Sequence, residues 1–197
     1  DEPQKGRYRF FHQWNIETFG NLNVEHDAEL IEFTSRFFNN LKLQNISIDI
    51  NHRKLVESYI NNVFESNDVT LLHDIFRAVD KIQKKSKDEI LQEYKQKGHS
   101  SEKLEKILEF SNLKGTPSEI EKSFDTSSLD GWNELCTLYD SLKNRGIENI
   151  RINFGIVRGL DYYSGIVFEA FDTTSDLGAL VGGGRYDSLP KIFGRDD

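Results

Sequence analysis

Apolar and polar positions alternate with two different periods along this chain, and each change of period marks an element. Ile46-Ser47-Ile48-Asp49-Ile50 runs with a period of two, which predicts a strand with isoleucine on one face. On both sides the period lengthens to that of a helix. Leu30, Ile31, Phe37, Phe38 and Leu41 recur at helical spacing between Asp27 and Leu41, and Glu25, Asp27 and Glu29 stand where the positive end of such a helix favours acids. From Arg53 to Phe64 a second stripe holds Leu55, Val56, Tyr59, Ile60, Val63 and Phe64. From about Asn67 to Gly146 the texture turns to charged, helix-forming sequence, as in Lys81-Ile82-Gln83-Lys84-Lys85-Ser86-Lys87 and Ser101-Glu102-Lys103-Leu104-Glu105-Lys106-Ile107-Leu108. This stretch predicts a small helical insertion within a mixed α and β architecture.

A longer alternation opens the chain. Pro3 to Gly20 reads as a turn followed by one long strand, with Arg7, Arg9, Phe11, Gln13, Asn15 and Glu17 on one face and Tyr8, Phe10, His12, Trp14 and Ile16 on the other. The second face is apolar enough to be core. Solvent alone would account for charges on the first, but not for a phenylalanine set between arginines and a glutamine. That row suits a ligand with phosphate, a planar ring and polar groups along its length, since arginine pairs with phosphate and an aromatic ring stacks.

The third segment is Val157-Arg158-Gly159-Leu160-Asp161-Tyr162-Tyr163-Ser164-Gly165-Ile166-Val167-Phe168-Glu169, an arginine and two tyrosines on a glycine-hinged turn that runs into an apolar strand. Gly159 and Gly165 permit backbone angles and close approach that a β-carbon would block. An arginine among aliphatic neighbours needs an anionic partner, which a bound ligand or a buried ion pair supplies equally well. Further on stands Val181-Gly182-Gly183-Gly184-Arg185-Tyr186-Asp187, whose glycines by themselves mean only a tight turn or a close strand crossing.

Together these three segments, in this order, resemble histidyl-tRNA synthetase, a class II aminoacyl-tRNA synthetase. Residues 1–65 and 145–197 carry the resemblance, and the middle third matches only in character. It implies an α+β fold, an antiparallel sheet of the class II type flanked by helices, with a helical insertion. The parts would be residues 1–66 and 147–197 of a catalytic domain, with 67–146 as the inserted domain. It also implies ATP-dependent activation of histidine to histidyl-adenylate and transfer to the 3' end of histidine tRNA. Arg158 would stabilise charge developing on the phosphate and act as the catalytic residue. Glu17 and Tyr163 would read the imidazole, Gln13 would hold the amino-acid end, and Tyr162 and Tyr186 would line the histidine pocket. Phe11 would stack on adenine, and Glu2, Arg7 and Arg158 would serve ATP, whose Mg2+ would arrive with the nucleotide and not in a protein cage. Arg185 is open between ligand contact and an ion pair with Asp187 or Asp161. Phe10 stands where many relatives carry Glu or Gln, on the expected core side. The resemblance further implies a homodimeric, cytoplasmic enzyme of protein biosynthesis. Several of its parts, including the third motif and the anticodon-binding domain, have no counterpart here, so the chain is expected to be an internal piece, inactive or nearly so by itself.

Two other classes share the resemblance. The regulatory subunit of ATP phosphoribosyltransferase and synthetase-like tRNA-sensing modules have the same fold, but they typically lack the set Gln13, Glu17, Arg158, Tyr162 and Tyr163 found here.

Composition trims what remains. The 197 residues, 37% of them hydrophobic, can bury a core and hold one domain with an insertion. Cys136 is the sole cysteine, which excludes a disulfide framework and suits a small buried hydrophobe better than a nucleophile. His12, His26, His52, His73 and His99 lack the spacing of a zinc site, and no Walker-type phosphate loop is present. No apolar run reaches membrane-spanning length. The net charge of −8 argues against a broad RNA-gripping surface, so Lys81 to Lys87 reads as a solvated face, with RNA contact as the alternative implied by the family.

Overall fold

The computed structural model describes residues 10–20, 23–83, 85–157, 162–175 and 177–194. Helix α1 spans Val24–Asn40 and begins at a capping box, in which the Asn23 side chain and the His26 ring each satisfy the other's backbone N–H. Strand β1 (Ile46–His52) leads directly into α2 (Arg53–Phe64), where the His52 ring caps by accepting from the Lys54 N–H. The expected insertion region is helical. It holds α3 (Val69–Asp80), a short 3-10 turn over Lys81–Gln83, α4 (Lys87–Gln96) and α5 (Ser101–Ser111). Next come the two-residue strand β2 (Lys114–Gly115), α6 (Pro117–Ser123) and α7 (Trp132–Asn144). The chain closes with β3 (Ile150–Asn153), β4 (Ile166–Asp172), β5 (Ala179–Gly184) and the single-turn α8 (Leu189–Ile192).

The five strands form one sheet in the order β2-β3-β1-β4-β5. Three pairings are antiparallel, and β1 with β3 is parallel, with Ile48 opposite Ile150 and Ile50 opposite Ile152. Helices cover one face. Ile46, Ile48 and Ile50 of β1, Ile150 and Ile152 of β3, and Ile166, Phe168 and Ala170 of β4 join Ala28, Ile31, Leu55, Ile60, Leu104 and Leu138 in the main core. Because strand side chains alternate, the intervening residues Asp49, Asn51, Arg151, Asn153 and Val167 look the other way. On that second face Ile156, Tyr163 and Val167 bury one another as a smaller cluster. The sheet therefore has an apolar, helix-packed side and a side that mixes polar groups with aromatic rings.

The long strand expected within Pro3 to Gly20 is absent from the described residues 10–20; Arg7, Tyr8 and Arg9 of its alternation lie outside them. Residues 11–19 have no regular structure and, among the described residues, pair with no strand. The residues expected in the core are exposed: Phe10 at 79%, Trp14 at 66% and Ile16 at 42%. A period of two says which side chains share a face, but a strand exists only when another segment takes its backbone N–H and C=O groups. The Trp14 indole is the anchor, meeting Phe33 and Phe37 of α1 edge-on at 5.6 Å each. Helix α1 also departs from its predicted stripe: Leu41 is exposed, while Ala28, Thr34 and Ser35 are buried.

Candidate functional site

Tyr162, Tyr163 and Tyr186 converge on the second face of the sheet. Their ring centroids stand 4.7 Å (Tyr162–Tyr163), 5.8 Å (Tyr162–Tyr186) and 6.3 Å (Tyr163–Tyr186) apart, at inclined angles. The two sequence segments that carry them are zipped by backbone and side chain. Ser164 N–H donates to the Arg185 carbonyl at 2.9 Å, and Arg185 N–H donates to the Ile166 carbonyl at 2.8 Å. The Ser164 hydroxyl donates to Asp187 Oδ2 at 3.1 Å and accepts from the Asp187 N–H at 3.0 Å. The tyrosines are thus set on backbone that cannot slide.

The glycine run belongs to this arrangement. Gly183 and Gly184 point to opposite faces of β5. A β-carbon on Gly183 would stand 2.6 Å from the Phe168 ring in the main core, and one on Gly184 would stand 2.8 Å from the Tyr163 ring. The glycines are therefore neither a loop nor a phosphate cradle; they are the strand positions against which two aromatic rings lie.

Glu17 reaches the cluster from the irregular N-terminal segment. Burial, and after it the neighbouring Glu17 carboxylate, push the Tyr186 phenol pKa up to about 12. Gln13 lies on the same segment and donates to the Asn15 side chain at 2.6 Å, exposed to solvent. Phe11 is 66% exposed, its ring open to stacking. Glu2, Arg7 and Arg158 lie outside the described residues, as does the turn 159–161. Of the expected site, the structure brings together Glu17, Tyr162, Tyr163 and Tyr186, with Gln13 and Phe11 on the segment that supplies Glu17.

Arg185 does not pair with Asp187, the first of the two ion-pair partners that the sequence offers. Its guanidinium is bound by the Asp27 carboxylate, with Nε to Oδ1 at 3.3 Å and a closer second contact, and by Glu134 Oε1 at 3.0 Å. Asp187 is instead taken by Ser164, which leaves Arg185 to turn toward α1 and α7. Glu134 in turn receives His52 Nε2 at 3.2 Å. Because Nδ1 of His52 accepts from the Lys54 N–H, Nε2 carries the ring proton and donates it to Glu134.

Sequence reasoning also missed the polar floor of the sheet. Asp49, almost fully buried, accepts from Arg151 Nε at 2.6 Å and from Asn153 Nδ2 at 2.7 Å. Asn51, fully buried, donates to the Phe154 carbonyl at 3.3 Å and the Ile156 carbonyl at 2.8 Å, and so holds the stretch that leads to residue 158. Polar residues at every second position of an otherwise isoleucine strand are the available signal, but taken alone they mark only a strand.

On the helical side, Lys81 and Lys85 both close on Glu93, whose carboxyl they hold down to about 2, and Lys87 closes on Glu105 and Glu109. These lysines neutralise neighbouring acids, as expected of a solvated face. Burial and nearby acids push the Cys136 thiol up to about 11, so it has little nucleophilic character.

A family model described as histidyl-tRNA synthetase matches residues 1–197. The chain belongs to the histidyl-tRNA synthetase family. A histidine–tRNA ligase of Thermoplasma volcanium is 35% identical over 199 residues, an alignment covering 100% of this chain and 46% of that protein. This chain therefore spans about half the length of the curated relatives it matches. Among solved structures, a histidyl-tRNA synthetase from Nostoc sp. PCC 7120 superposes with a TM-score of 0.77 at 23% identity, covering 89% of this chain and 43% of that one. A protein described as an ATP phosphoribosyltransferase regulatory subunit/histidyl-tRNA synthetase from Bacillus halodurans C superposes with a TM-score of 0.71 at 20% identity, covering 89% of this chain and 46% of that one. Both structures establish the shared fold of the histidyl-tRNA synthetase family, a mainly antiparallel sheet flanked by helices.

Proposed function

We propose that this chain is an internal portion of the catalytic region of a histidine–tRNA ligase. Such an enzyme activates histidine with ATP and passes it to the 3' end of histidine tRNA. The observation that supports this most is the convergence of Tyr162, Tyr163 and Tyr186, with Glu17 beside Tyr186, from three separate family motifs. A carboxylate and phenols can satisfy both imidazole nitrogens, and a pocket that hydrogen-bonds both rejects isosteres lacking them.

In this reading Gln13 takes the amino-acid end of histidine, Phe11 stacks on adenine, and Glu2 and Arg7 serve the nucleotide. Arg158 counters charge gathering on the α-phosphate as the carboxylate attacks and pyrophosphate leaves. Mg2+ comes with ATP, held by phosphate oxygens. Residues 1–66 and 147–197 are the two parts of the catalytic domain, with 67–146 an inserted helical domain lying toward tRNA. Residue 67 falls in the connection between α2 and α3, and 146–147 in the connection between α7 and β3. The intact enzyme is a cytoplasmic homodimer. Among the described residues, no helix is long and apolar enough to cross a membrane.

The test is amino-acid-dependent ATP–pyrophosphate exchange by the full-length polypeptide that carries this segment, comparing histidine with the other amino acids. Exchange with histidine alone is expected. A folded protein that exchanges with no amino acid would move the reading to the regulatory subunit of ATP phosphoribosyltransferase or a tRNA-sensing module. The 197 residues by themselves are expected to show no exchange.

A further inference from the structure

The two arms of the tyrosine cluster arrive on different parts of the chain, and one side chain ties those parts together. Arg185 immediately precedes Tyr186. Its guanidinium grips Asp27 in the first turn of α1, the helix that follows the Glu17 segment, and Glu134 in the first turn of α7. Glu134 uses its second oxygen for His52, which ends β1 and caps α2. One continuous chain of contacts, Asp27–Arg185–Glu134–His52, therefore joins the starts of three helices to the end of β5. The Arg185 and Asp27 side chains are only 14% and 13% exposed. A planar guanidinium closed on two carboxylates sets direction as well as distance, which a lysine could not. The surroundings leave it little freedom. A β-carbon on Gly165 would stand 3.3 Å from the Arg185 side chain, and one on Gly131 would stand 2.5 Å from the His52 ring, so glycine is what lets both side chains lie in place.

We propose that Arg185 is a positioning residue for the amino-acid pocket: clamped by Asp27 and Glu134, with His52 orienting Glu134, it fixes Tyr186 against Glu17 and thereby sets the fit for the imidazole. This role rests on the histidine-ligase reading. Arg185 touches no reacting atom. It acts through Tyr186 on one side and through α1 on the other. Loosening the clamp lets the phenol and the carboxylate drift apart, and since hydrogen-bonded selectivity depends on both partners being in reach, the loss falls on histidine recognition and not on the nucleotide.

The experiment uses the full-length polypeptide and steady-state ATP–pyrophosphate exchange, with histidine and ATP varied in turn and thermal melting measured alongside. Arg185→Lys keeps the charge and loses the fork. It is expected to raise KM for histidine about tenfold or more, with KM for ATP within about twofold and kcat at saturating histidine changed much less. Glu134→Gln keeps an oxygen for Arg185 but turns its NH2 toward the His52 N–H, so it is expected to raise KM for histidine clearly less than Glu134→Ala, which follows Arg185→Lys. A lowered melting temperature with an unchanged KM for histidine in Arg185→Lys would reduce the clamp to a structural ion pair and overturn the proposal. A rise in KM for ATP instead would place Arg185 on the nucleotide and overturn it too. Should Arg185→Lys fail to fold, the Glu134 pair decides: equal KM for histidine in Glu134→Ala and Glu134→Gln sinks the idea. Absence of histidine-dependent exchange in the wild-type protein removes the ligase reading and the clamp's role together. Its presence beside unaltered variants removes the clamp alone.

Discussion

Gly183 and Gly184 are adjacent, point to opposite faces of β5, and offer a direct test of how the sheet divides core from site. In Gly184→Ala the new methyl would meet the Tyr163 ring at 2.8 and 2.9 Å and the Ile166 carbonyl at 2.7 Å, where ordinary contact begins at 3.4 Å. The carbonyl cannot yield cheaply, because it accepts the Arg185 N–H at 2.8 Å. Tyr163 must therefore shift by about 0.6 Å, the gap between 2.8 and 3.4 Å, and the backbone at position 184 must also draw away from the carbonyl. In Gly183→Ala the obstacle is the Phe168 ring at 2.6 Å, packed in the main core. Overpacking of this kind costs about 1–3 kcal/mol, so each variant should lower the urea midpoint by about 1 M for a typical dependence on denaturant. The two part company in function. Gly184→Ala moves a tyrosine of the candidate pocket and should weaken histidine binding by the full-length polypeptide about tenfold, while Gly183→Ala leaves histidine binding within about twofold. Chemical denaturation followed by tryptophan fluorescence, and calorimetric titration with histidine, supply both numbers. Equal loss of histidine affinity in the two variants, or no loss of stability in either, would refute the assignment of the two glycines to opposite faces.

Three further outcomes are expected. Burial holds the His52 imidazole below its usual 6.5 despite the opposing pull of Glu134. The unfolded chain therefore takes up the proton first, so His52 contributes stability that is complete above pH 6.5 and is lost as pH falls through that value toward the lower folded pKa. Melting between pH 7.5 and about 5 should fall more steeply in wild type than in His52→Asn, which keeps a helix-capping oxygen; parallel slopes would show that His52 is not the responsible group. Cys136, its thiol pushed up to about 11, should react with iodoacetamide at pH 8 about a hundredfold more slowly than an ordinary thiol near 9.0, as counted by mass spectrometry; prompt labelling of folded protein would contradict the burial argument. Phe110 of α5 stacks on Tyr59 of α2 at 3.9 Å and touches Phe124 and Phe154, so Phe110→Ala should cost about 3–5 kcal/mol in urea unfolding; a loss under 1 kcal/mol would mean that this junction is not packed as described.

The local elements are legible in the chain itself because a helix writes its own pattern. The stripe from Leu55 to Phe64 appears as α2, and the isoleucines of 46–50 as β1, since an amphipathic period depends only on which side must be dry. The signatures around Tyr162, Tyr163 and Tyr186 are legible too, and with them the family. What the sequence does not supply is the other half of each pairwise relation. Residues 7–17 have the alternation of a strand, but whether a segment joins a sheet depends on a partner for its backbone, and 11–19 has none among the described residues. Arg185 has 33 acidic residues to choose from. Its two partners lie 158 and 51 positions away and are brought close only by packing α1 and α7 on the sheet. Asp49 and Asn51 carry a polar alternation that water could equally well satisfy, and they become a buried floor because Arg151 and the turn at Phe154–Ile156 cover them. The sequence by itself determined the helices, the central strand and the chemical vocabulary of the site. Which tyrosine meets Glu17, and which acids hold Arg185 behind it, was decided by the tertiary structure, because contacts between distant segments exist only once the sheet order has set their neighbours.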